Sequence, residues 1–141
     1  MILLDTNVVS ELMKGAPEPS VMVWINARPA ATVFLSAVTQ AEILYGIALV
    51  PEGKRRDGLA RAARTAFETY FRGRILPFDS EAAEVFAALA SSRRQAGRPI
   101  SQADAQIAAI ARSRGAALAT RNVPDFEGCG IDIVDPWSAP P

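Results

Sequence analysis

The 141-residue sequence contains no histidine, and this absence excludes several kinds of catalytic chemistry. Neither a Ser-His-Asp triad nor a Cys-His pair can form within the chain, and histidine cannot serve as its general base. The single cysteine, Cys129, excludes an intrachain disulfide and a thiolate zinc site. The side chains that remain for chemistry are carboxylates, hydroxyls and amides, whose oxygen atoms suit Mg²⁺ or Mn²⁺.

Long apolar runs are also missing, since none approaches the roughly 18 residues that a membrane span requires. The chain starts directly with strand-like apolar residues, without the basic segment and apolar core of a secretory signal. Half of the residues are hydrophobic, which argues against disorder. We therefore expect one soluble, cytoplasmic domain over residues 1–141.

The formal net charge is +0, so a broad electrostatic grip on nucleic acid is not expected. Two local basic groups remain, and both are typical of solvated helix faces, although a rim that guides phosphate groups is the alternative. They are Lys54-Arg55-Arg56 with Arg61 and Arg64, and Arg93-Arg94 with Arg98.

Short apolar runs alternate with helical patterns along the chain. This alternation predicts an α/β fold, a mostly parallel central sheet of four or five short strands flanked by helices. The tail at 135–137 is expected to pack down before an exposed Pro140-Pro141. The predicted strands cover about 1–4, 32–36, 74–78, 116–119 and 131–134, and the predicted helices cover about 8–14, 21–27 (capped by Ser20), 38–50, 54–71, 81–95 (capped by Asp79 or Ser80) and 101–111.

The first strand ends abruptly in a carboxylate, Asp5, which is followed by Thr6 and Asn7. In open α/β sheets, ligands bind outside the carboxyl ends of the strands, where the strand order reverses. A cap on the following helix is the structural alternative for Asp5 or Asn7.

The helix predicted over 38–50 is apolar nearly all round, which is typical of a buried helix. Its only charged residue is Glu42, which lies on the apolar stripe between Val38 and Tyr45. A buried carboxylate is costly unless it gains a cation or a metal. The alternatives are therefore a metal site and a buried salt bridge to an arginine.

A third carboxylate, Asp104, lies three residues after Ser101, as in a capping box. It also falls on the inward-facing stripe of its helix, together with Ile107. Three carboxylates, Asp5, Glu42 and Asp104, are thus expected to converge above the sheet, where a divalent cation would offset their mutual repulsion. Such a site suits hydrolysis of phosphodiesters.

Four segments, in this order, resemble the motifs of the PIN domain family, and the resemblance is closest to VapC-type toxins of bacterial toxin–antitoxin pairs, including the FitB-like branch. The motifs span residues 5–122, almost the whole chain. The segments are Leu4-Asp5-Thr6-Asn7, Ala41-Glu42, Ala103-Asp104 and Thr120-Arg121-Asn122.

The resemblance implies a Mg²⁺- or Mn²⁺-dependent endoribonuclease that forms a homodimer and is silenced by a small antitoxin, whose C-terminal segment enters the acidic site. Arg121 is a candidate to steer RNA. The family often has Asp where this chain has Asn122, which puts a second metal ion in doubt, and Asp125 is a candidate to compensate. The implied metal-binding and catalytic acids are Asp5, Glu42 and Asp104, with Thr6, Asn7, Thr120 and Asn122 supporting them.

We therefore hypothesise that single-stranded or loop RNA is cleaved by a metal-activated water, leaving 5′-phosphate and 3′-hydroxyl ends. One alternative is a non-catalytic binding module whose acidic pocket only receives an arginine-bearing partner. The other is a phosphatase of the haloacid dehalogenase type, but that class requires a second Asp where this chain has Asn7.

Overall fold

Five parallel strands form one central sheet in the order β3-β2-β1-β4-β5. The molecule is a computed structural model that describes residues 1–138. The predicted α/β fold and its parallel sheet are confirmed. The strands are β1 (Ile2–Leu4), β2 (Val33–Ser36), β3 (Ile75–Leu76), β4 (Ala117–Ala119) and β5 (Ile133–Val134).

The central strand β1 is apolar throughout, and its three residues are buried. A strand covered on both faces of a parallel sheet requires such a continuous apolar run. Leu3 pairs with Phe34 of β2 on one side and with Leu118 of β4 on the other. The strand order reverses between β1 and β4, so a crevice is expected beyond the carboxyl ends of these two strands.

Helices cover both faces of the sheet, and each face has its own hydrophobic core. Alternate residues of β1 point to opposite sides, so that Leu3 joins the core under α5 and α6 while Leu4 joins the core under α1 to α4. The helices are α1 (Thr6–Leu12), α2 (Pro19–Asn26), α3 (Ala37–Ala48), α4 (Lys54–Thr65), α5 (Ser80–Gln95) and α6 (Gln102–Ser113).

Oxygen side chains cap the helices that leave the carboxyl ends of the strands. Ser36 accepts from the Thr39 amide at the start of α3, and Asp79 accepts from the Ala82 amide at the start of α5. The cap predicted at Asp79 is therefore confirmed. The cap predicted at Ser20 is wrong, because α2 begins one residue earlier, at Pro19, whose ring already favours the first helical position.

The prediction that the third helix is buried is wrong. In α3 only Thr39 and Ile43 are buried, whereas Leu44, Tyr45 and Leu49 are 47%, 64% and 67% exposed. The helix contacts α1, α4 and α6, whereas these three exposed apolar side chains face solvent. An apolar pattern cannot distinguish such a surface from a core.

The helix predicted over 54–71 changes its geometry before it ends. A π-helical turn, Ala66–Tyr70, follows α4, and the Phe71 amide donates to the Ala66 carbonyl. The wider turn rotates the last side chains relative to an α-helix. Tyr70, the last residue of this turn, is consequently 66% exposed.

The edges of the sheet are shorter than predicted. Each of β3 and β5 has two residues and pairs with one neighbour only. The Trp137 side chain packs against the core, as expected for the tail, and the predicted exposure of 140–141 concerns residues outside the described range. Over residues 1–138, no helix is long and apolar enough to cross a membrane.

Candidate active site

Asp5 is a buried carboxylate at the carboxyl end of the central strand, with 4% of its surface exposed. Its Oδ1 accepts from the Thr6 amide at 2.8 Å, and its Oδ2 accepts from Thr120 Oγ1 at 2.7 Å and from Asn7 Nδ2 at 3.1 Å. Asp5 also occupies the N-cap position of α1. The interpretation of Asp5 as a helix cap is therefore confirmed, and its role as a metal ligand stays a prediction.

A small hydrogen-bond network connects the start of α1 to the segment that follows β4. Asn7 Nδ2 also donates to Thr120 Oγ1 at 3.3 Å, and Asn7 Oδ1 accepts from the Arg121 amide at 3.2 Å. The Asn122 amide donates to Thr120 Oγ1 at 3.0 Å. Asn7 and Thr120 thereby fix the orientation of the Asp5 carboxylate, and Asn122 contributes through its backbone.

Glu42, on α3, is near enough to Asp5 for its charge to raise the pKa of that carboxyl, but Glu42 is exposed rather than buried. Thr6 Oγ1 donates to Glu42 Oε1 at 2.8 Å and lies 3.0 Å from Thr39 Oγ1. The predicted burial of Glu42 is wrong, and so is the alternative of a buried salt bridge. Because its carboxylate stays in contact with solvent, no cation is needed to offset a burial cost.

Asp104 lies in the first turn of α6 and is partly buried. Its amide donates to Ser101 Oγ at 3.2 Å, so the predicted cap at Ser101 is confirmed. Burial is the main cause that raises the pKa of the Asp104 carboxyl, and the negative charges of Asp125 and Glu42 raise it further. Ser101 and Arg93 oppose that rise.

The three predicted acids influence one another electrostatically. Burial raises the pKa of Asp5 most, Thr120 and Thr6 oppose that rise, and the charges of Asp104 and Glu42 add to it. Across residues 1–138, none of these three acids forms a salt bridge. The crevice therefore contains several carboxylates without a partner cation from the described chain.

The chemistry of these donors fits Mg²⁺ or Mn²⁺, because every donor is an oxygen atom and the local charge is negative. The positions of these side chains do not yet form a metal site. Within residues 1–138, no group of three or more acidic or cysteine side chains is arranged to hold a metal ion. The assignment of Asp5, Glu42 and Asp104 as metal ligands stays a prediction. A cavity of about 280 Å³ lies beside Thr6 and Glu42 and is also lined by Lys14.

Arg121, the candidate for steering RNA, is exposed and packs on an aromatic ring. Its guanidinium carbon lies 5.1 Å from the centre of the Trp137 ring. Such a stack leaves the edge of the guanidinium free to donate. Its role in RNA binding stays a prediction.

Arg93 is the main residue near the site whose environment the sequence analysis missed. Both earlier interpretations, a solvated helix face and a phosphate-guiding rim, are wrong for Arg93, which is only 7% exposed. Its guanidinium donates to backbone carbonyls of the segment around Asp125. The available signal was spacing, because Arg93 follows the buried Leu89 by four residues and so lies on the same helix face.

The fold is a five-stranded parallel sheet, and acidic side chains lie near the point where its strand order reverses. The model of the PIN domain matches residues 2–125, and the chain belongs to this family. The resemblance inferred from the four motifs is thereby confirmed.

Individual relatives show which members of the family the chain resembles. The chain is 42% identical to VapC ribonuclease Y4jK of Sinorhizobium fredii, over 97% of this chain and 98% of that protein. It is 37% identical to toxin FitB of Neisseria gonorrhoeae, over 97% of this chain and 99% of that protein. A solved structure of FitAB bound to an IR36 DNA fragment matches with a TM-score of 0.93 and 36% identity, covering 100% of this chain and 99% of that one.

Proposed function

We propose that this chain is a metal-dependent endoribonuclease and the toxin component of a toxin–antitoxin pair. Its relatives include a protein named a ribonuclease and one named a toxin. The observation that carries the proposal is the environment of Asp5, a buried carboxylate with three hydrogen-bond donors and two acidic neighbours. A buried anion among like charges is tolerable mainly when a cation joins it.

In this proposal Asp5 and Asp104 bind the principal ion, and Glu42 binds it or orients water. A bound Mg²⁺ or Mn²⁺ supplies the Lewis acidity that activates water and stabilises charge on the phosphate. Thr120 and Asn7 hold the Asp5 carboxylate in one orientation, and Thr6 does the same for Glu42. Asn122 adds no negative charge to this set.

The proposed substrate is single-stranded or loop RNA, cut to leave 5′-phosphate and 3′-hydroxyl ends. Because the net charge is +0, binding must depend on a few local cations rather than on the whole surface. Arg121 directly follows Thr120 and is exposed, which supports its candidacy as a cation that binds RNA.

The proposed protein partner is a small antitoxin that covers the acidic crevice with its C-terminal segment. The similar structure FitAB is a complex bound to DNA, which supports pairing of this chain with an antitoxin. We also propose a homodimer. The exposed apolar side chains of α3, Leu44, Tyr45 and Leu49, provide a surface for protein contacts.

The test is cleavage of a structured RNA by the purified chain with Mn²⁺ or Mg²⁺. We expect cleavage that stops with EDTA and with Asp5→Asn, but continues with Asp57→Asn, a matched substitution of an exposed acid on α4. Equal cleavage by the wild type and Asp5→Asn, or undiminished cleavage in EDTA, contradicts the proposal.

The second candidate is a non-catalytic binding module with an acidic pocket. It is favoured by the incomplete grouping of the acids and by the neutral Asn122. Calorimetry with Mn²⁺ separates the two candidates, because the enzyme binds the ion and the module does not. The phosphatase alternative is set aside, since the chain belongs to the PIN domain family.

A further inference from the structure

The cavity of about 280 Å³ beside Thr6 and Glu42 adjoins the candidate active site. Thr6 Oγ1 donates to Glu42 Oε1 at 2.8 Å, so one hydrogen bond of that site lies in the wall of the cavity. The Thr6 amide donates to the Asp5 carboxylate at 2.8 Å. A ligand in the cavity is therefore separated from Asp5 by a single residue.

The rest of the cavity wall is mostly apolar. Ile43 and Ile47 of α3 and Leu59 of α4 contribute hydrocarbon surface. Ser10 on α1 adds a hydroxyl, and Lys14, just beyond that helix, adds an ammonium. Apolar walls with a few polar groups are typical of sites for small ligands, which usually begin at roughly 300 Å³. A cavity at this lower limit suits one flat ring of the size of a nucleobase.

Lys14 is the only cation among the described residues that line this cavity. Its Nζ lies 3.0 Å from Oε1 of the buried Glu11, whose Oε2 accepts from the Glu18 amide at 3.2 Å. This ion pair fixes the direction of the lysine, although its side chain stays 62% exposed. An ammonium has three donors, and Glu11 takes one, so that donors remain for a phosphate group.

Gly46 of α3 also lines the cavity, and the space beside it is open. A Cβ atom added at Gly46 meets no atom within 4 Å, and the backbone there is not in the left-handed region. Nearly every other residue type favours a helix more than glycine does. A larger side chain at this position can therefore occupy the cavity without straining the fold.

We propose that this cavity is the subsite for one unpaired base of the RNA, next to the bond that is cleaved, and that Lys14 binds a phosphate beside that base. The inference rests on the proposed function, because it assumes that the substrate is RNA. An unpaired base can leave its stack and enter a pocket, whereas a base in a duplex first has to be extruded.

RNA is favoured over a protein segment as the occupant for two reasons. The cavity adjoins the carboxylates at which the phosphodiester has to lie in the proposed reaction, so a base attached to that phosphodiester is within reach. The cation at the cavity also complements the charge of a phosphate. The chain has a formal net charge of +0, and such local cations therefore carry the electrostatic part of RNA binding.

The experiment measures binding of a short, fluorescently labelled, unpaired RNA to the full chain by anisotropy. EDTA is present so that the proposed cleavage does not occur. In a series of these RNAs one base at a time is removed while the backbone is kept. We expect removal of one particular base to weaken binding by about tenfold, as is typical of a base held by ring contacts. Equal losses at every position overturn the inference.

Filling the cavity with Gly46→Leu should have the same effect as removing that base. We expect about tenfold weaker binding of the intact RNA, and no further loss when the sensitive base is absent, because both changes remove one contact. Gly58→Leu is the matched control. Gly58 lies on α4, a Cβ atom there also meets nothing within 4 Å, and the residue does not line the cavity.

Gly58→Leu should bind the intact RNA as the wild type does, and circular dichroism checks that both variants fold. Wild-type affinity in Gly46→Leu, or an equal loss in Gly58→Leu, overturns the inference. The first of these results also leaves the cavity to a protein segment. If Gly46→Leu fails to fold, the series of RNAs without single bases decides the assignment on the wild-type chain.

The phosphate contact of Lys14 is tested by the salt dependence of binding. Lys14→Gln should lower the slope of log affinity against log salt concentration by about 0.7, the value for one phosphate contact on a single strand. Lys54→Gln is the control, because Lys54 is exposed and does not line the cavity. An unchanged slope in Lys14→Gln, or an equal change in Lys54→Gln, contradicts the role of Lys14.

Cleavage assays with Mn²⁺, run in parallel, separate failure of this inference from failure of the proposed function. Cleavage by the wild type, together with RNA affinity that depends on no single base, removes only the inference about the cavity. Absence of both RNA binding and cleavage in the wild-type chain removes the proposed function and this inference with it.

Discussion

The two sides of the acidic crevice hold their carboxylates in different ways. On the strand side, defined by Asp5 and Thr120, the carboxylate is buried and accepts three hydrogen bonds. On the helix side, defined by Glu42 and Asp104, one acid is exposed and the other is partly buried, and each has few partners. The strand-side carboxylate is therefore held by more hydrogen bonds than either acid of the helix side.

This difference predicts the largest effect for substitution of the strand-side acid. Asp5→Asn should lower RNA cleavage by about 10³-fold, because the transition-state stabilisation supplied by a catalytic metal amounts to several kcal/mol. Single-turnover cleavage at saturating Mn²⁺ measures the change. If Asp5→Asn loses less RNA cleavage than Glu42→Gln, the helix side contributes more to cleavage than the strand side, and the prediction is contradicted.

The next effect concerns stability, and it compares two threonines. Thr120→Val should lower the free energy of unfolding by about 1–3 kcal/mol, because it leaves the buried Asp5 carboxylate one donor short. Thr6→Val should cost less, about 1 kcal/mol, because its partner Glu42 remains solvated and the buried Thr39 hydroxyl that also loses a partner is neutral. Urea unfolding without metal tests both variants, and equal losses would show that the two sides do not differ.

A third effect depends on pH and concerns Asp104. Because its pKa is raised in the fold, its contribution to stability is fully present below the ordinary aspartate pKa and is lost as the pH rises through the raised value. Asp104→Asn should therefore raise the melting temperature of the metal-free chain at neutral pH, and this gain should vanish in acid.

Added Mn²⁺ should give the wild type a higher melting temperature than Asp104→Asn, because ligand binding stabilises only the chain that keeps the carboxylate. Thermal melts between acid and neutral pH, with and without Mn²⁺, provide the measurement. If Asp104→Asn is less stable than the wild type at neutral pH without metal, the ionised Asp104 carboxylate does not destabilise the fold, and the prediction is contradicted.

The smallest effect is expected at Arg121, which is not one of the three candidate acids. Arg121→Ala should weaken RNA binding by roughly two- to fivefold, since exposed charge contacts contribute about 1 kcal/mol or less. Arg28→Ala is the matched control, because Arg28 also stacks on a tryptophan, Trp24, at 4.3 Å. Fluorescence anisotropy at two salt concentrations should show a change for Arg121 only.

The strand side could be predicted from sequence, and the helix side only in part. Asp5 directly follows an apolar run, so its place at the carboxyl end of a central strand follows from local pattern and sheet topology. The position of Glu42 was predicted, but its burial was not predicted correctly. The apolar periodicity of α3 comes partly from side chains on the surface, such as Tyr45.

Contacts between segments that are distant in the chain could not be predicted from local sequence patterns. The burial of Arg93 depends on carbonyl groups more than 30 residues away in the chain, at Asp125 and Glu127. The outward rotation of Tyr70 depends on a π-helical turn that side-chain periodicity does not reveal. Caps were predictable where one oxygen side chain preceded an apolar pattern, as at Asp79 and Ser101.

We propose that the carboxylates of the crevice form a single electrostatic unit that requires a divalent cation. Calorimetric titration of the wild-type chain, Asp5→Asn and Asp104→Asn with Mn²⁺ tests it most directly. We predict measurable binding by the wild type and loss of that binding in each variant. Wild-type affinity in both variants, or no binding by the wild type, would contradict the claim.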